Sequence, residues 1–241
     1  MSKAASFPAK TVVDSFLYCE RMLSDVLRVL PYCDDHNEVW SPVLTTVIME
    51  SCSQLDSLWG HTAERSSCVT KTEFRITDYF EYFRSQPLTP LPKRWVVFWG
   101  EDVVQLHPYQ QWDEVSTYEP LDWWRTYNKL KHDRLANKEK ATLSAAVDAM
   151  AGLFLAILAN EHCRYAVEAA GWLSASDAVA YNPKPSLEEN SPSVKDGYVA
   201  AESRLFAYPV GWSSQAVKKT DLWNGNASFR FRHWFEEYST V

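Results

Sequence analysis

The helical spacing of apolar residues in segment 11–30 constrains the fold more than any other feature of the chain. Apolar side chains recur there at intervals of three and four residues, which places them on one broad stripe of an α-helix. The stripe consists of Val12, Val13, Phe16, Leu17, Leu23, Val26, Leu27 and Leu30. Pro31 is predicted to end this helix. Such a stripe must be buried against other elements, and a hydrophobic share of 46% is ample for that core.

Two further helices are predicted in the first third of the chain. Ser41 and Pro42 suit the N-cap and the first position of a helix that runs to about Ala63. A weaker helical pattern covers about 71–85. Both segments carry apolar residues at helical spacing, so they are expected to pack on the first helix.

The middle of the chain predicts two more helices. One covers 121–136 and follows Pro120. The other is long, from about Lys140 to Gly171, with Gly171 suited to the C-cap. Together these segments indicate a mainly α fold, an antiparallel helical bundle in one domain over residues 1–172.

The bundle is expected to carry an insertion at 86–120 and a C-terminal extension. Three prolines bar a helix at the start of the insertion, and a β-prone run with a turn predicts a small hairpin at about 93–108. Residues 173–197 are polar and predict a loop or linker. Residues 198–241 form an aromatic-rich appendage expected to pack on the bundle. Its run 229–232 suggests a strand, and the appendage is a candidate to pair with the hairpin.

Composition excludes several function classes. A net charge of −7 and only seven glycines, without a phosphate-binding glycine loop, argue against a bulk polyanion binder and a nucleotide-binding fold. Five cysteines without a C-x-x-C pair predict reduced, mostly buried thiols and a cytoplasmic protein, and only Cys163 has an evident histidine neighbour. No apolar run is long enough to span a membrane, and no metal or other cofactor is expected.

The segment most suited to chemistry is the predicted helix 121–136. At about 100° per residue, Asn128, Lys129 and His132 all lie within about 60° of Arg125. The apolar and aromatic side chains of the segment lie on the opposite side. The helix is therefore expected to pack through one face and to present two cations, an amide and an imidazole on the other.

The same region has a charge unlike the rest of the chain. Residues 121–140 hold six cations against three anions, an excess of +3 that leaves −10 for the remainder. The six cations are Arg125, Lys129, Lys131, Arg134, Lys138 and Lys140. A cationic island on an acidic protein favours a specific anionic ligand such as a phosphate group.

These residue types suit RNA cleavage without a metal ion. The 2′-hydroxyl must lose a proton and the 5′-leaving oxygen must gain one, and a histidine such as His132 can do either near neutral pH. The scissile phosphate gains negative charge in the transition state, which an arginine such as Arg125 can stabilise. Asn128 can orient the imidazole or bind a phosphate oxygen.

The motif Arg125-(six residues)-His132, with Asn128 four residues before the histidine, resembles the R-x(4–6)-H signature of the HEPN superfamily. The fuller string W-W-x-x-Y-N-x-x-K-H-x-R, followed by a helix rich in Ala and Leu, is also similar to bacterial HEPN-like proteins. The resemblance implies a HEPN-like helical bundle over roughly 11–170. It also implies a metal-independent endoribonuclease of antiviral defence or a toxin module.

The resemblance further implies RNA as substrate, a homodimer with a composite active site and a regulatory protein or antitoxin. Lys129, Lys131 and Arg134 are expected to bind RNA. The spacing from Arg125 to His132 is long for the family, so Arg134 or Lys131 could instead bind the phosphate. An acidic residue of an earlier helix often supports such sites. Glu50 and Asp56 are both candidates, and the sequence does not choose between them.

Other interpretations of the same residues stay open. Arg125 could simply form an ion pair with Asp122, and Trp123 and Trp124 suit a core or a dimer interface better than base stacking. The chain could be a non-catalytic HEPN module that binds RNA or a nucleotide. It could also be a protein-binding subunit that uses the aromatic tail, which contains Trp212, Trp223 and Trp234.

Overall fold

In the computed structural model the described residues are mainly helical and include a small antiparallel sheet, which confirms the predicted fold class. The structure describes residues 7–65, 74–84, 91–92, 94–100, 103–113, 115, 117–172 and 198–210. The predicted linker 173–197, the suggested strand 229–232 and the tail tryptophans lie outside the described residues. In the described part of the chain no helix is both long and apolar enough to cross a membrane.

Six α-helices are found in the described residues. They are α1 Ala9–Leu27, α2 Pro42–Arg65, α3 Ile76–Arg84, α4 Asp122–His132, α5 Leu143–Ala159 and α6 Arg164–Ala169. Helix α2 packs against both α1 and α5, and α4 packs against α2 and α5. The core lies between these four helices, so α4 is bound on one side and open on the other.

The boundaries of α1 and α2 follow from their sequences, with small differences from prediction. The predicted stripe of α1 is buried at Val12, Phe16 and Leu23, but Leu17 is 37% exposed and the helix ends at Leu27 rather than Leu30. The Ser41 hydroxyl accepts a hydrogen bond from the backbone N–H of Leu44, at 3.2 Å, and so acts as the predicted cap of α2.

The long helix predicted from Lys140 to Gly171 is wrong, because Asn160 interrupts it. Asn160 is buried, and its side-chain amide donates to Thr62 Oγ1 at 2.6 Å and accepts from the His162 N–H at 3.0 Å. An asparagine that bonds nearby backbone in this way competes with the helical ladder. The chain therefore ends α5 at Ala159 and restarts as α6.

Gly171 ends a helix as the sequence predicted, although the helix is the short α6 and Gly171 directly follows the C-cap residue Ala170. Its φ of +73° lies in the left-handed region, which glycine adopts without strain. Its N–H bonds to the carbonyl of Glu168, and the N–H of Trp172 bonds to that of Val167. This pair of bonds is the Schellman pattern.

The predicted 121–136 helix also ends early, at His132. The Asp133 carboxylate accepts from the N–H of Ala136 at 3.0 Å. The Asn137 amide donates to the carbonyls of Lys129, at 3.3 Å, and Asp133, at 2.8 Å. These side-chain hydrogen bonds pair with backbone groups that the end of α4 leaves without a helical partner, and they stabilise a turn at 134–137.

The sheet has four strands in the order β2-β1-β4-β3, where β1 is Val96–Trp99, β2 Val103–Leu106, β3 Tyr198–Glu202 and β4 Phe206–Val210. All neighbours are antiparallel. The predicted hairpin is therefore confirmed. The C-terminal segment pairs with it as predicted, with Val97 opposite Ala207 and Phe98 opposite Phe206. The suggested strand 229–232 lies outside the described residues.

A buried carboxylate joins α1 to the turn between β3 and β4. Glu20 Oε1 accepts from the Ser203 hydroxyl at 2.5 Å and from the Leu205 N–H at 2.8 Å. Burial raises the pKa of Glu20, and the bond from Ser203 opposes that rise. Phe206 adds ring contacts to Phe16 and Phe154, so the sheet is fixed to the bundle through α1 and α5.

Candidate nucleic-acid interface

Helix α4 is held against the bundle by aromatic side chains. Trp123, Trp124 and Tyr127 are buried, as is Leu130. The Trp123 indole donates to the carbonyl of Pro108 at 2.7 Å, and Trp124 forms ring contacts with its neighbours. The apolar face predicted from the sequence is thus in the core, and the rotation of α4 about its axis is fixed.

The opposite face of α4 gathers the predicted site residues in solvent. Arg125, Lys129 and His132 are exposed, and Asn128 is half-buried. Positions three and four apart on a helix are neighbours, so these side chains form one row. Within the described part of the chain the His132 ring forms no hydrogen bond or ion pair, which leaves both nitrogens accessible to a ligand.

Arg125 forms the ion pair that the sequence allowed as an alternative. Its Nη1 lies 3.4 Å from Asp122 Oδ1, and both side chains are more than half exposed. Gln111 also bonds to Asp122, donating to its carboxylate at 3.1 Å and accepting from its N–H at 2.9 Å. A guanidinium has five N–H groups, so Arg125 keeps donors for a second anion.

The C-terminal end of α4 concentrates positive charge. Lys129, Lys131 and His132 lie in its last turn, where cations are favoured by the helix dipole. The Lys131 ammonium lies 5.4 Å from the centre of the Tyr127 ring. Arg134 is exposed in the turn that follows. The predicted RNA-binding residues are therefore close in space to the predicted catalytic row.

The structure distinguishes the two acidic candidates on α2. The Glu50 carboxylate accepts from Gln54, and its charge contributes to raising the pKa of Cys19 on α1. Burial raises the pKa of Asp56, and the positive charge of Lys131 on α4 opposes that rise. Asp56 therefore lies beside α4, whereas Glu50 lies toward α1.

Asp148 on α5 is a residue that the sequence analysis missed. Burial, with a smaller contribution from the charge of Asp122, raises the pKa of Asp148 to about 6. Asp148 is the sole charged residue in the apolar span Leu143–Ala159. A lone carboxylate in such a helix is costly to bury, and that signal could have identified it.

Cys33 and His36 correct the expectation that only Cys163 has a histidine neighbour. Cys33 Sγ lies 3.3 Å from His36 Nδ1. The same nitrogen lies 2.7 Å from the carbonyl of Pro31, which can only accept, so Nδ1 carries the proton. His36 therefore cannot remove a proton from Cys33 through that atom. Among the described residues, no group of three His, Cys, Asp or Glu side chains is placed to hold a metal ion.

Comparison of the chain with protein-family models, curated proteins and solved structures finds no match. The resemblance to HEPN proteins thus depends on the α4 motif and the helix layout.

Proposed function

We propose that the exposed face of α4 binds RNA and cleaves it without a metal ion, as an endoribonuclease of HEPN type. The observation that carries the proposal is the row Arg125, Asn128, Lys129 and His132, open to solvent on a helix whose other face is locked in the core. The +3 excess of residues 121–140 supplies attraction for the phosphate backbone.

In the proposed reaction the 2′-oxygen attacks the adjacent phosphorus and the bond to the 5′-oxygen breaks. One imidazole removes the proton of the 2′-hydroxyl, and an imidazolium gives a proton to the leaving 5′-oxygen. In a homodimer whose α4 faces meet, His132 of each copy takes one of these roles. The products carry a 2′,3′-cyclic phosphate and a 5′-hydroxyl.

The ion pair with Asp122 orients Arg125 for binding the phosphate in the proposed reaction. Asp122, itself held by Gln111, orients the guanidinium, and the N–H groups that remain free bind the non-bridging phosphate oxygens. Charge on those oxygens increases toward the transition state, so the contact strengthens as the reaction proceeds. Asn128, between Arg125 and His132 on the row, orients the imidazole or the phosphate.

The test is cleavage of a labelled RNA pool by purified protein in EDTA. We expect His132→Ala to lower the cleavage rate by about 100-fold or more, the range of general acid–base catalysis. His61→Ala, at an exposed histidine of α2, is the control and is expected to cleave normally. The 5′-hydroxyl end is identified by its phosphorylation with a polynucleotide kinase, and the 2′,3′-cyclic phosphate end by its resistance to a phosphomonoesterase.

The role of Arg125 has its own matched control. Arg28 pairs with Asp25 at 3.3 Å with the same three-residue spacing, on the surface of α1. Arg125→Ala is expected to lower the rate by about 100-fold, and Arg28→Ala is expected to leave it unchanged. Equal rates for wild type and His132→Ala would refute the mechanism.

A non-catalytic RNA-binding module is the second candidate, because Asp122 already neutralises part of the Arg125 charge. It predicts RNA binding that is lost on Arg125→Glu and no turnover by the wild type. The proposed biological setting is antiviral defence or a toxin module, with an antitoxin or other regulatory protein as partner. A chain that ignores RNA and binds such a protein would instead be a protein-interaction subunit.

A further inference from the structure

Exposed apolar side chains are concentrated in two segments of the chain. Eight large apolar side chains are exposed among the described residues. Five of them lie either in residues 29–43 or in the turn after α4, namely Val29, Val39, Trp40, Val43 and Leu135. Apolar side chains that cluster on a surface mark interaction sites more often than scattered ones do, and a large ring gains much from burial.

Backbone hydrogen bonds join these two segments and set their direction. Trp40 forms an antiparallel bridge with Thr142. The Ser144 N–H, two residues further on, donates to the carbonyl of Asn37, three residues before Trp40, at 3.1 Å. Because the pairing is antiparallel, the residues that precede Trp40 and the residues that precede Thr142 extend from opposite ends of the bridge.

The two ends carry opposite charge. Residues 34–38, before Trp40, hold three acids and no Lys or Arg, a net charge of −3, and residues 134–140, before Thr142, hold three cations against one anion, a net charge of +2. These exposed charges are Asp34, Asp35 and Glu38 in the acidic segment, and Arg134, Lys138, Glu139 and Lys140 in the cationic segment. Lys138 Nζ lies 5.4 Å from the centre of the Trp40 ring, so the cationic segment borders the apolar side chains. We refer to the acidic segment 34–38, the apolar centre Val39, Trp40 and Val43, and the cationic segment 134–140 as the Trp40 surface.

We propose that the Trp40 surface binds a second copy of this chain about a twofold axis. In such a dimer both copies use the same surface, so the surface must be complementary to itself. When two copies of the Trp40 surface meet in opposite directions, their apolar centres pack together. Each acidic segment then lies against the cationic segment of the other copy, which is complementary in charge at both ends.

The charges favour a second copy over other occupants. A nucleic acid is repelled by the acidic segment, and a uniformly basic peptide is repelled by the cationic segment. The two segments together carry −3 and +2, a net charge of −1 in a chain of −7. Two copies therefore repel each other little at this surface, whereas the acidic remainder of the chain keeps them apart elsewhere.

The Trp40 surface also borders the end of α4. The side-chain amide of Asn137, next to Lys138, donates to the carbonyl of Lys129 in the last turn of α4 at 3.3 Å. A twofold contact here brings both α4 ends, each with its His132, to one interface. The inference deepens the proposed function and rests on it for what the dimer does, because the proposed reaction uses His132 of both copies.

The first measurement is the dimer dissociation constant of the full chain, by sedimentation velocity over a range of concentrations. Trp40→Ala removes the central ring and is expected to raise this constant at least about 30-fold, as for a central aromatic residue of an interface. The matched control is Tyr18 on α1, which is 51% exposed and has the Arg21 guanidinium 5.5 Å from its ring centre. Tyr18→Ala is expected to dimerise like the wild type, and thermal unfolding checks that both variants are folded.

A charge exchange tests which segments meet. One variant reverses the acidic segment, with Asp35→Lys and Glu38→Lys, and the other reverses the cationic segment, with Lys138→Glu and Lys140→Glu. Each variant alone places like charges against each other, so we expect its dimer to be at least about 100-fold weaker. An equimolar mixture is expected to dimerise with nearly the wild-type affinity, because each contact in the mixed dimer joins opposite charges.

The control for charge reversal is Asp14→Lys. Asp14 is an exposed acid on α1, about 20 Å of helix before Leu27, and its reversal is expected to leave the dimer unchanged. Three results overturn the inference. They are a wild-type chain that is monomeric at every concentration measured, reversed variants that dimerise like the wild type, and folded reversed variants that do not associate when mixed. A different protein that binds through Trp40 to an otherwise monomeric chain belongs to the first of these.

RNA cleavage by the same preparations separates this inference from the proposed function. If the mixed variants dimerise and the wild type cleaves no RNA, the dimer surface stands and the proposed function fails. If both reversed variants stay dimeric and His132→Ala alone stops cleavage, the proposed function stands and the dimer contact lies elsewhere.

Discussion

Replacing Gly152 with alanine tests the packing that holds α4 in place. Gly152 lies inside α5, and a Cβ added there would be 3.0 Å from Trp123 Cζ2, 3.2 Å from Trp123 Cη2 and 3.3 Å from Tyr109 Oη. Neither neighbour moves freely. The Trp123 indole bonds to the carbonyl of Pro108, and the Tyr109 hydroxyl bonds to the carbonyl of Gly152 itself, at 2.8 Å.

Two opposing terms set the magnitude. Alanine is favoured over glycine inside a helix by about 1 kcal/mol. Forcing an extra carbon into a packed core costs about 1–3 kcal/mol. Because both neighbours are held by hydrogen bonds, we expect the packing cost to exceed the helix preference of alanine. Gly152→Ala is therefore expected to destabilise the fold by about 1 kcal/mol. For a chain of this size that corresponds to about 2–4 °C in melting temperature.

The contact itself is measured with a double-mutant cycle. Phenylalanine lacks the indole atoms nearest the added carbon, so Trp123→Phe removes the tightest contact. In that background Gly152→Ala is expected to stabilise the fold by about 1 kcal/mol, because the helix preference then exceeds the cost of the looser contact with the Tyr109 hydroxyl at 3.3 Å. The coupling energy is therefore about 2 kcal/mol, obtained from urea unfolding of the four proteins.

The sign of the change in the free energy of unfolding shows which neighbour obstructs the added carbon. If Gly152→Ala stabilises the protein equally in both backgrounds, Trp123 does not press on α5 and the packing described for α4 is wrong. If it destabilises equally in both, the hydroxyl of Tyr109 is the obstacle, and Tyr109→Phe replaces Trp123→Phe in the cycle.

Two predictions concern buried polar groups. Because folding raises the pKa of Asp148 from about 4 to about 6, the charged form is disfavoured in the folded state, so wild-type stability falls as pH rises through this window. Asp148→Asn is expected to remove that fall and to be more stable by roughly 3 kcal/mol at pH 8, and urea unfolding at pH 4 and pH 8 checks it. Asn160→Ala removes the bonds to Thr62 and His162 and is expected to cost about 2 kcal/mol. A melting temperature within about 1 °C of the wild type would contradict this, given about 2–4 °C per kcal/mol.

Apolar periodicity was enough to predict most helices and the buried face of α4. Val12, Phe16 and Trp123 are buried, as their spacing predicted, because burying an apolar stripe of a helix in the core is energetically favourable. Periodicity did not predict the helix break at Asn160, since one amide among apolar residues changes the apolar spacing little. The break depends on Thr62, a residue 98 positions away, and local sequence does not contain such a partner.

The candidate site also has a part that the sequence could predict and a part that it could not. The row Arg125, Asn128 and His132 follows from spacing within one helix, so the sequence could place it. The choice between Glu50 and Asp56 could not be made, since it depends on how α2 packs against α4.

The hydrogen bonds of Glu20 also set an order of assembly during synthesis. Its bond partner Leu205 lies 185 residues later in the chain, and β4, which covers the outer edge of β1, emerges about 100 residues after β1. At about 5–20 residues per second, that edge stays unpaired for several seconds or longer on the ribosome. A chain released before residue 203 would carry an open strand edge and an unmatched carboxylate on α1, two features that invite association with other chains.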